Sequence, residues 1–177
     1  MKDKAFYNNK GAELSAMGKY EEAERNFKLA LELEPCDYFV LYNIGFTLLK
    51  KGDKKKFIEW FDSALDNADT RLKGTLALDC GLACFDAALY EEAEKYYDIA
   101  ASLGLGVSSA EYWNRRGVLS FVTGRYEKAK ECFEKAVSLE PDFADALYNL
   151  ADTYDELGLS EKASKMRAKY SELSVKK

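Results

Sequence analysis

Few residues in this chain are spaced to do chemistry. Cys80 and Cys84 stand four apart, which would put two thiols on one helix face where a metal ion could be held. Gly106-Val107-Ser108-Ser109-Ala110 has the outline, apart from its last residue, of the turn that presents a nucleophilic serine. Gly104-Leu105-Gly106 has the beginning of a phosphate-cradling loop, and Asp152 with Asp155 offers two carboxylates three residues apart. Each lacks what its chemistry needs. The sequence contains no histidine, which removes the commonest general base, the usual activator of a serine or cysteine nucleophile, and the commonest transition-metal ligand. No strand precedes the serine turn, and no third glycine follows Gly106 at the phosphate-loop spacing. The cysteine pair falls where Ile44 and Leu48 fall in another copy of the repeat set out below, so it reads as buried packing. The aspartates read as solvated carboxylates on a helix. No catalytic residue, metal site or cofactor is expected, and the chain is read as not an enzyme.

The elements that carry these residues are helical. Of 177 residues, 47% are hydrophobic and 32% charged, the balance of a globular chain, and only Pro35 and Pro141 interrupt it. A net charge of −5 argues against a nucleic-acid partner, because phosphate binding requires a concentrated positive face. No apolar run reaches the length of a membrane span and the N-terminus lacks a secretory apolar core, so no membrane partner is expected and the location is read as cytoplasmic. Cys36, Cys80, Cys84 and Cys132 are read as free thiols.

Self-similar spacing decides the fold class. Gly11, Gly18-Lys19-Tyr20, Ala23, Phe27, Ala30 and Pro35 recur as Gly117, Gly124-Arg125-Tyr126, Ala129, Phe133, Ala136 and Pro141, with every interval the same. Between them lie two looser copies, one with Gly45, Gly52, Phe61 and Ala64, the other with Gly81, Tyr90, Ala93, Tyr97 and Ala100; a fifth has Ala151, Gly158 and Ala163. From Gly11 through Gly45, Gly81 and Gly117 to Ala151 the steps are 34, 36, 36 and 34 residues. Apolar positions at three- and four-residue spacing give two helices per copy. Glycine at 18, 52, 124 and 158 suits a left-handed turn between them, with Ala88 in the third turn. Small residues on the first helix are expected to face small residues on the second, with Phe27, Tyr97 or Phe133 filling the space beside them. The two longer steps place extra residues near Thr70 to Lys73 and Gly104 to Ser109, the latter a candidate hinge.

These residues resemble the tetratricopeptide repeat, strongly in copies one and four. Copy two departs with Lys54 and Phe57 where others carry Tyr and Ala, and copy three lacks the closing proline. The resemblance implies an all-α fold, a right-handed α-α superhelix (solenoid) of about five helix-turn-helix repeats. Its repeats cover approximately 4–37, 38–71, 74–107, 110–143 and 144–177, in one domain over 1–177. The last helix, from about Ser160, acts as a polar cap with Leu159, Ala163, Met166, Tyr170 and Leu173 on its apolar stripe, frayed from Ser174.

In the resembled family the first helix of each hairpin lines a concave surface that holds a peptide. Carried onto this chain, the groove positions are Phe39, Tyr42, Asn43, Phe46 and Leu49 in copy two, Leu78, Leu82 and Phe85 in copy three, and Asn114, Val118 and Phe121 in copy four. Copy five adds Tyr148 and Asp152, with Asp145, Asp155 and Glu156 making that end acidic, and copy one presents Ala5, Asn8, Ala12 and Ser15. Of the family's clamp for acidic C-termini only Asn43 matches, while Asn8, Ala12, Thr75 and Asp79 do not, so no such clamp is expected. A second apolar face beyond the packing residues points to an interaction module for a peptide or amphipathic helix with a basic end. Two alternatives stand: the superhelix curls and buries this face, or the face serves self-association into a homo-oligomeric scaffold. Lys50, Lys51, Lys54, Lys55 and Lys56 crowd the second turn as a solvated loop or a docking patch for an acidic partner.

Overall fold

The computed structural model describes residues 2–105 and 107–175. Among them ten helices follow in series: α1 Lys4–Ala16, α2 Tyr20–Leu33, α3 Tyr38–Lys51, α4 Lys56–Asn67, α5 Thr70–Asp86, α6 Tyr90–Ser102, α7 Ala110–Val122, α8 Tyr126–Leu139, α9 Ala144–Glu156 and α10 Ser160–Val175. The fold is all-α, as the spacing predicts. The chain gathers into two compact units, residues 1–83 and 84–177, with the division falling inside α5.

In the first unit α1 packs on α2, α3 on α4, and α2 on α3. The pairing within each hairpin rests on one contact. A Cβ placed on Gly11 would lie 2.5 Å from the Phe27 ring, and one on Gly45 would lie 2.4 Å from Phe61. Phe27 and Phe61 are fully buried. The ring thus sits directly against the glycine, because the absent side chain on one helix leaves room for an aromatic from the other. Phe57, the departure in copy two, is buried edge-on against Phe61 at 5.5 Å between ring centroids.

Neighbouring first helices in this unit are joined by polar bonds. Asn43 Nδ2 donates to Asn8 Oδ1 at 2.9 Å, and the Thr47 hydroxyl, which donates to the Asn43 carbonyl at 2.7 Å, lies 2.8 Å from the Ser15 hydroxyl. Asp37 caps α3 by accepting from Val40 N–H at 2.9 Å and reaches back to Lys4 Nζ at 2.6 Å. Burial alone would raise the Asp37 pKa, but the Lys4 ammonium and the Val40 N–H outweigh it and hold the carboxyl below its ordinary value. A carboxyl depressed on folding stabilises fully above its unfolded pKa of about 3.9, and that contribution is lost as the pH falls through the lower folded value. The stability advantage of wild type over Asp37→Asn, which keeps the cap but not the charge, should therefore shrink on acidification from about pH 5 through and below about pH 3.9 in urea titrations. A constant difference would mean the charge is idle.

The second unit repeats the design. α7 packs on α8, α9 on α10 and α8 on α9. A Cβ on Gly117 would meet the Phe133 ring at 2.4 Å, and Phe133 lies in a core with Ala129, Leu150, Tyr154 and Ala163. Asn149 Nδ2 donates to Asn114 Oδ1 at 3.0 Å, the same joint as Asn43 to Asn8. The cap helix α10 buries Ala163, half-buries Met166, Tyr170 and Leu173, and exposes Lys162, Lys165 and Arg167. It continues through Ser174 to Val175 rather than fraying, and Lys176 and Lys177 lie outside the described residues.

The inserted residues differ from expectation at one place. Thr70 to Lys73 form the first turn of α5, which reaches 17 residues where the other first helices have 13 or 14. Asp69 begins it by accepting from Arg71 N–H at 2.9 Å. Turn glycines 18, 52, 124 and 158 have φ between 72° and 87°, and Ala88 takes the same left-handed region at 56°. An alanine there costs roughly 1–2 kcal/mol. Ala88 is exposed, so Ala88→Gly loses no packing and should stabilise the fold by about 0.5–1 kcal/mol after the entropy cost of glycine. A melting temperature that fails to rise would show that the turn is not strained.

Candidate functional site

With the hairpin rings consumed in packing, the first helices still carry apolar side chains that reach solvent. In residues 1–83, Phe39 is 51% exposed, and Tyr42, Asn43, Phe46, Leu49, Leu78 and Leu82 are half-buried. Phe46 stacks on Tyr42 at 6.1 Å between centroids and lies 4.8 Å beneath Lys50 Nζ. Tyr42 in turn stacks on the core ring of Phe61 at 5.3 Å, which fixes the plane of the outer pair. The Asn43 amide is already engaged with Asn8.

In residues 84–177, Phe85, Val118 and Phe121 are half-buried and Tyr148 is 50% exposed. Phe85 packs on Tyr90 and Phe121 on Tyr126, with centroids 5.9 and 5.3 Å apart, so the tyrosines that open α6 and α8 brace the last aromatics of α5 and α7. Asn114, expected to face a ligand, is only 7% exposed and its carbonyl oxygen is used by Asn149. Val118, Phe121, Asn149 and Asp152 border a small recess of about 50 Å³ above Phe133.

The acidic character expected at the C-terminal end is largely answered from within. Arg167 reaches Asp152 at 3.0 Å and Asp155 at 2.5 Å, leaving Asp145 and Glu156 exposed. The lysine-rich turn is likewise partly engaged: Lys51 pairs with Glu21 and Glu24 and Lys56 with Asp53. Of the candidate chemical groups, Cys80, Cys84 and Cys132 are buried and Cys36 is exposed, and none of the four is in a disulfide. The serine-turn and phosphate-loop readings both depend on Gly106, which lies outside the described residues.

One polar group was not foreseen as part of a site. Asp79, on α5, borders a recess of about 170 Å³ lined by Tyr38, Phe39, Tyr42, Leu72, Thr75 and Leu76. Asp79 is exposed, yet partial desolvation by its neighbours raises its pKa, and unlike Asp37 or Asp152 it has no hydrogen bond or ion pair among the described residues. The signal was in the repeat: Asp79 stands two residues before Gly81, where Asn43 and Asn149 stand before Gly45 and Ala151.

Profiles described as tetratricopeptide repeat match residues 5–35, 40–70, 110–143 and 132–163. A tetratricopeptide repeat-containing protein of Methanocaldococcus jannaschii is 25% identical over 166 residues, 89% of this chain; the chain spans only 29% of that relative's length. Photosystem I assembly protein Ycf3 of Acaryochloris marina is 28% identical over 122 residues, 64% of this chain and 68% of that protein. Among solved structures, MamA from Desulfovibrio magneticus RS-1 matches with a TM-score of 0.77 at 23% identity, over 100% of this chain and 98% of that one, a likeness of fold. No described helix is long and apolar enough to cross a membrane.

Proposed function

The chain belongs to the tetratricopeptide repeat family, and from that premise we propose that it is a protein-interaction module whose first helices hold a peptide or amphipathic helix of a partner. The observation that carries this reading is the surplus of aromatic surface. Phe27, Phe61 and Phe133 are buried in holding the hairpins shut, whereas Phe46, Phe85 and Phe121 are each braced by one aromatic neighbour and left half open. Rings held in one orientation and partly exposed lose little freedom when a ligand covers them, which is what makes aromatic side chains effective anchors.

In residues 1–83 the proposed contacts are Phe39, Tyr42, Phe46, Leu49, Leu78 and Leu82, with Asn43 at their border. In residues 84–177 they are Phe85, Val118, Phe121 and Tyr148, bordered by Asn114 and Asp152. The Acaryochloris relative, a photosystem I assembly protein, fits a reading in which this chain brings other polypeptides together. The module acts by binding, not by catalysis, and needs no cofactor.

The test is selection of random 12-residue peptides displayed on phage against the immobilised chain, with light scattering of the free chain over a concentration series. Enriched peptides that compete with one another, on a chain that stays monomeric, support the reading. Absence of enrichment together with a mass that doubles on concentration would replace it with the self-associating scaffold.

A further inference from the structure

The recess between α3 and α5 in residues 1–83 joins apolar walls to a single carboxylate. Its volume of about 170 Å³ corresponds to five or six liquid waters at about 30 Å³ each, room for one long side chain and not for a helix. Its walls are the rings of Tyr38, Phe39 and Tyr42 and the aliphatic Leu72 and Leu76, and the one charge in its lining is Asp79. Phe39 and Leu72, 51% and 43% exposed, are large apolar side chains left open to solvent there.

The chemistry of Asp79 follows from comparing it with its equivalents. Asn43 and Asn149 occupy its place in copies two and five, and each donates its amide to an asparagine of the preceding copy. A carboxylate has no proton to donate, and the residue three before the small position in the preceding copy is here Tyr42 instead of an asparagine. Asp79 therefore makes no amide joint of this kind, and its carboxylate is open to solvent. Some other carboxylates on the first helices and their caps have internal cations: Asp37 has Lys4, and Asp152 and Asp155 share Arg167. The nearby Lys73 is drawn away to Asp66.

We propose, resting on the interaction-module reading, that this recess receives a lysine or arginine side chain of the bound polypeptide, its aliphatic stem against Phe39, Tyr42 and Leu72 and its cationic head on Asp79. A long basic side chain matches both halves of the recess: methylenes cover apolar walls while the charge reaches a carboxylate, and aromatic faces beside it attract the cation. Asp79 is exposed at the edge of the recess, so a cation can reach its carboxylate from solvent, and the apolar walls beside it, which push its pKa up, give that cation an anion poorly served by the rest of the lining. The chain's net charge of −5 steers a basic segment towards it.

The experiment uses the full chain and peptides selected from the random 12-residue pool. The wild type is expected to enrich peptides with a Lys or Arg at one fixed position among apolar residues. Replacing that Lys with norleucine, or that Arg with citrulline, should weaken binding tenfold or more. Asp79→Asn, which restores the residue found at the equivalent positions, should weaken the basic peptide by a similar factor and leave the uncharged peptide's affinity unchanged. Equal binding of the charged and uncharged peptides by wild type overturns the proposal without any variant, as does an undiminished basic preference in Asp79→Asn. Loss of binding in Phe46→Asp alongside either result would leave the interaction-module reading standing, whereas no enriched peptide at all would overturn both.

Discussion

Phe133→Ala is expected to lower the stability of the chain by about 3–5 kcal/mol, the cost of removing a large buried aromatic without collapse of the space it filled. The ring is 1% exposed and packs within a core of Ala129, Leu150, Tyr154 and Ala163, so its removal leaves a vacancy among side chains that are already fixed by packing. The more telling measurement is its coupling to Gly117. A Cβ at 117 would lie 2.4 Å from the ring, well inside contact distance, so Gly117→Ala should cost about 1–3 kcal/mol by overpacking. In Gly117→Ala/Phe133→Leu the added methyl enters the room the smaller side chain vacates, and the two costs should fall short of additivity by about 1 kcal/mol or more. Urea denaturation of the four proteins in the cycle reads this directly. Strict additivity would show that the glycine and the ring do not share one space.

Phe46→Asp should weaken a selected peptide by at least thirtyfold, the factor that corresponds to about 2 kcal/mol at an interface hot spot. Phe46 is half-buried, stacked on Tyr42 and beneath Lys50, so an aspartate there remains hydrated in the free protein and gains a lysine neighbour. Helical circular dichroism and the melting temperature should accordingly change little. Bound, the same carboxylate would have to surrender its water against apolar ligand surface. Phe121 is a weaker choice for this test because it also leans on the core around Phe133. An affinity within threefold of wild type would remove Phe46 from the contact surface and, with it, the argument from surplus rings.

The helices and their pairing were legible because the repeat states its packing in residue types: a glycine in one helix and an aromatic sixteen residues later in the next, as in Gly11 with Phe27 and Gly117 with Phe133. The extra turn of α5 was not. Thr70 to Lys73 contain no breaker, and spacing alone says only that residues were inserted, not that they were added in helical register. Positions on the first helices were legible by the same counting, but their charge state was not. Arg167 stands fifteen residues from Asp152, and its pairing with the two aspartates depends on how α10 folds back onto α9. Asn114 was misjudged for a related reason, since an asparagine on the inner side of a helix can serve a neighbouring helix as readily as a ligand. Asp79 was visible as a departure from the asparagines at its repeat position, yet a change of one atom type acquires meaning only once its surroundings are known.

The two asparagine joints, Asn43 with Asn8 and Asn149 with Asn114, carry no net charge. Dissolved ions screen attractions between charges over roughly 8–10 Å at ordinary buffer strength and far less at molar concentration, but they leave amide pairs of this kind intact. Brine should thus strip a positively charged guest from the chain while the hairpins that received it stay in place, which makes a salt wash a gentle way to empty the receptor and use it again.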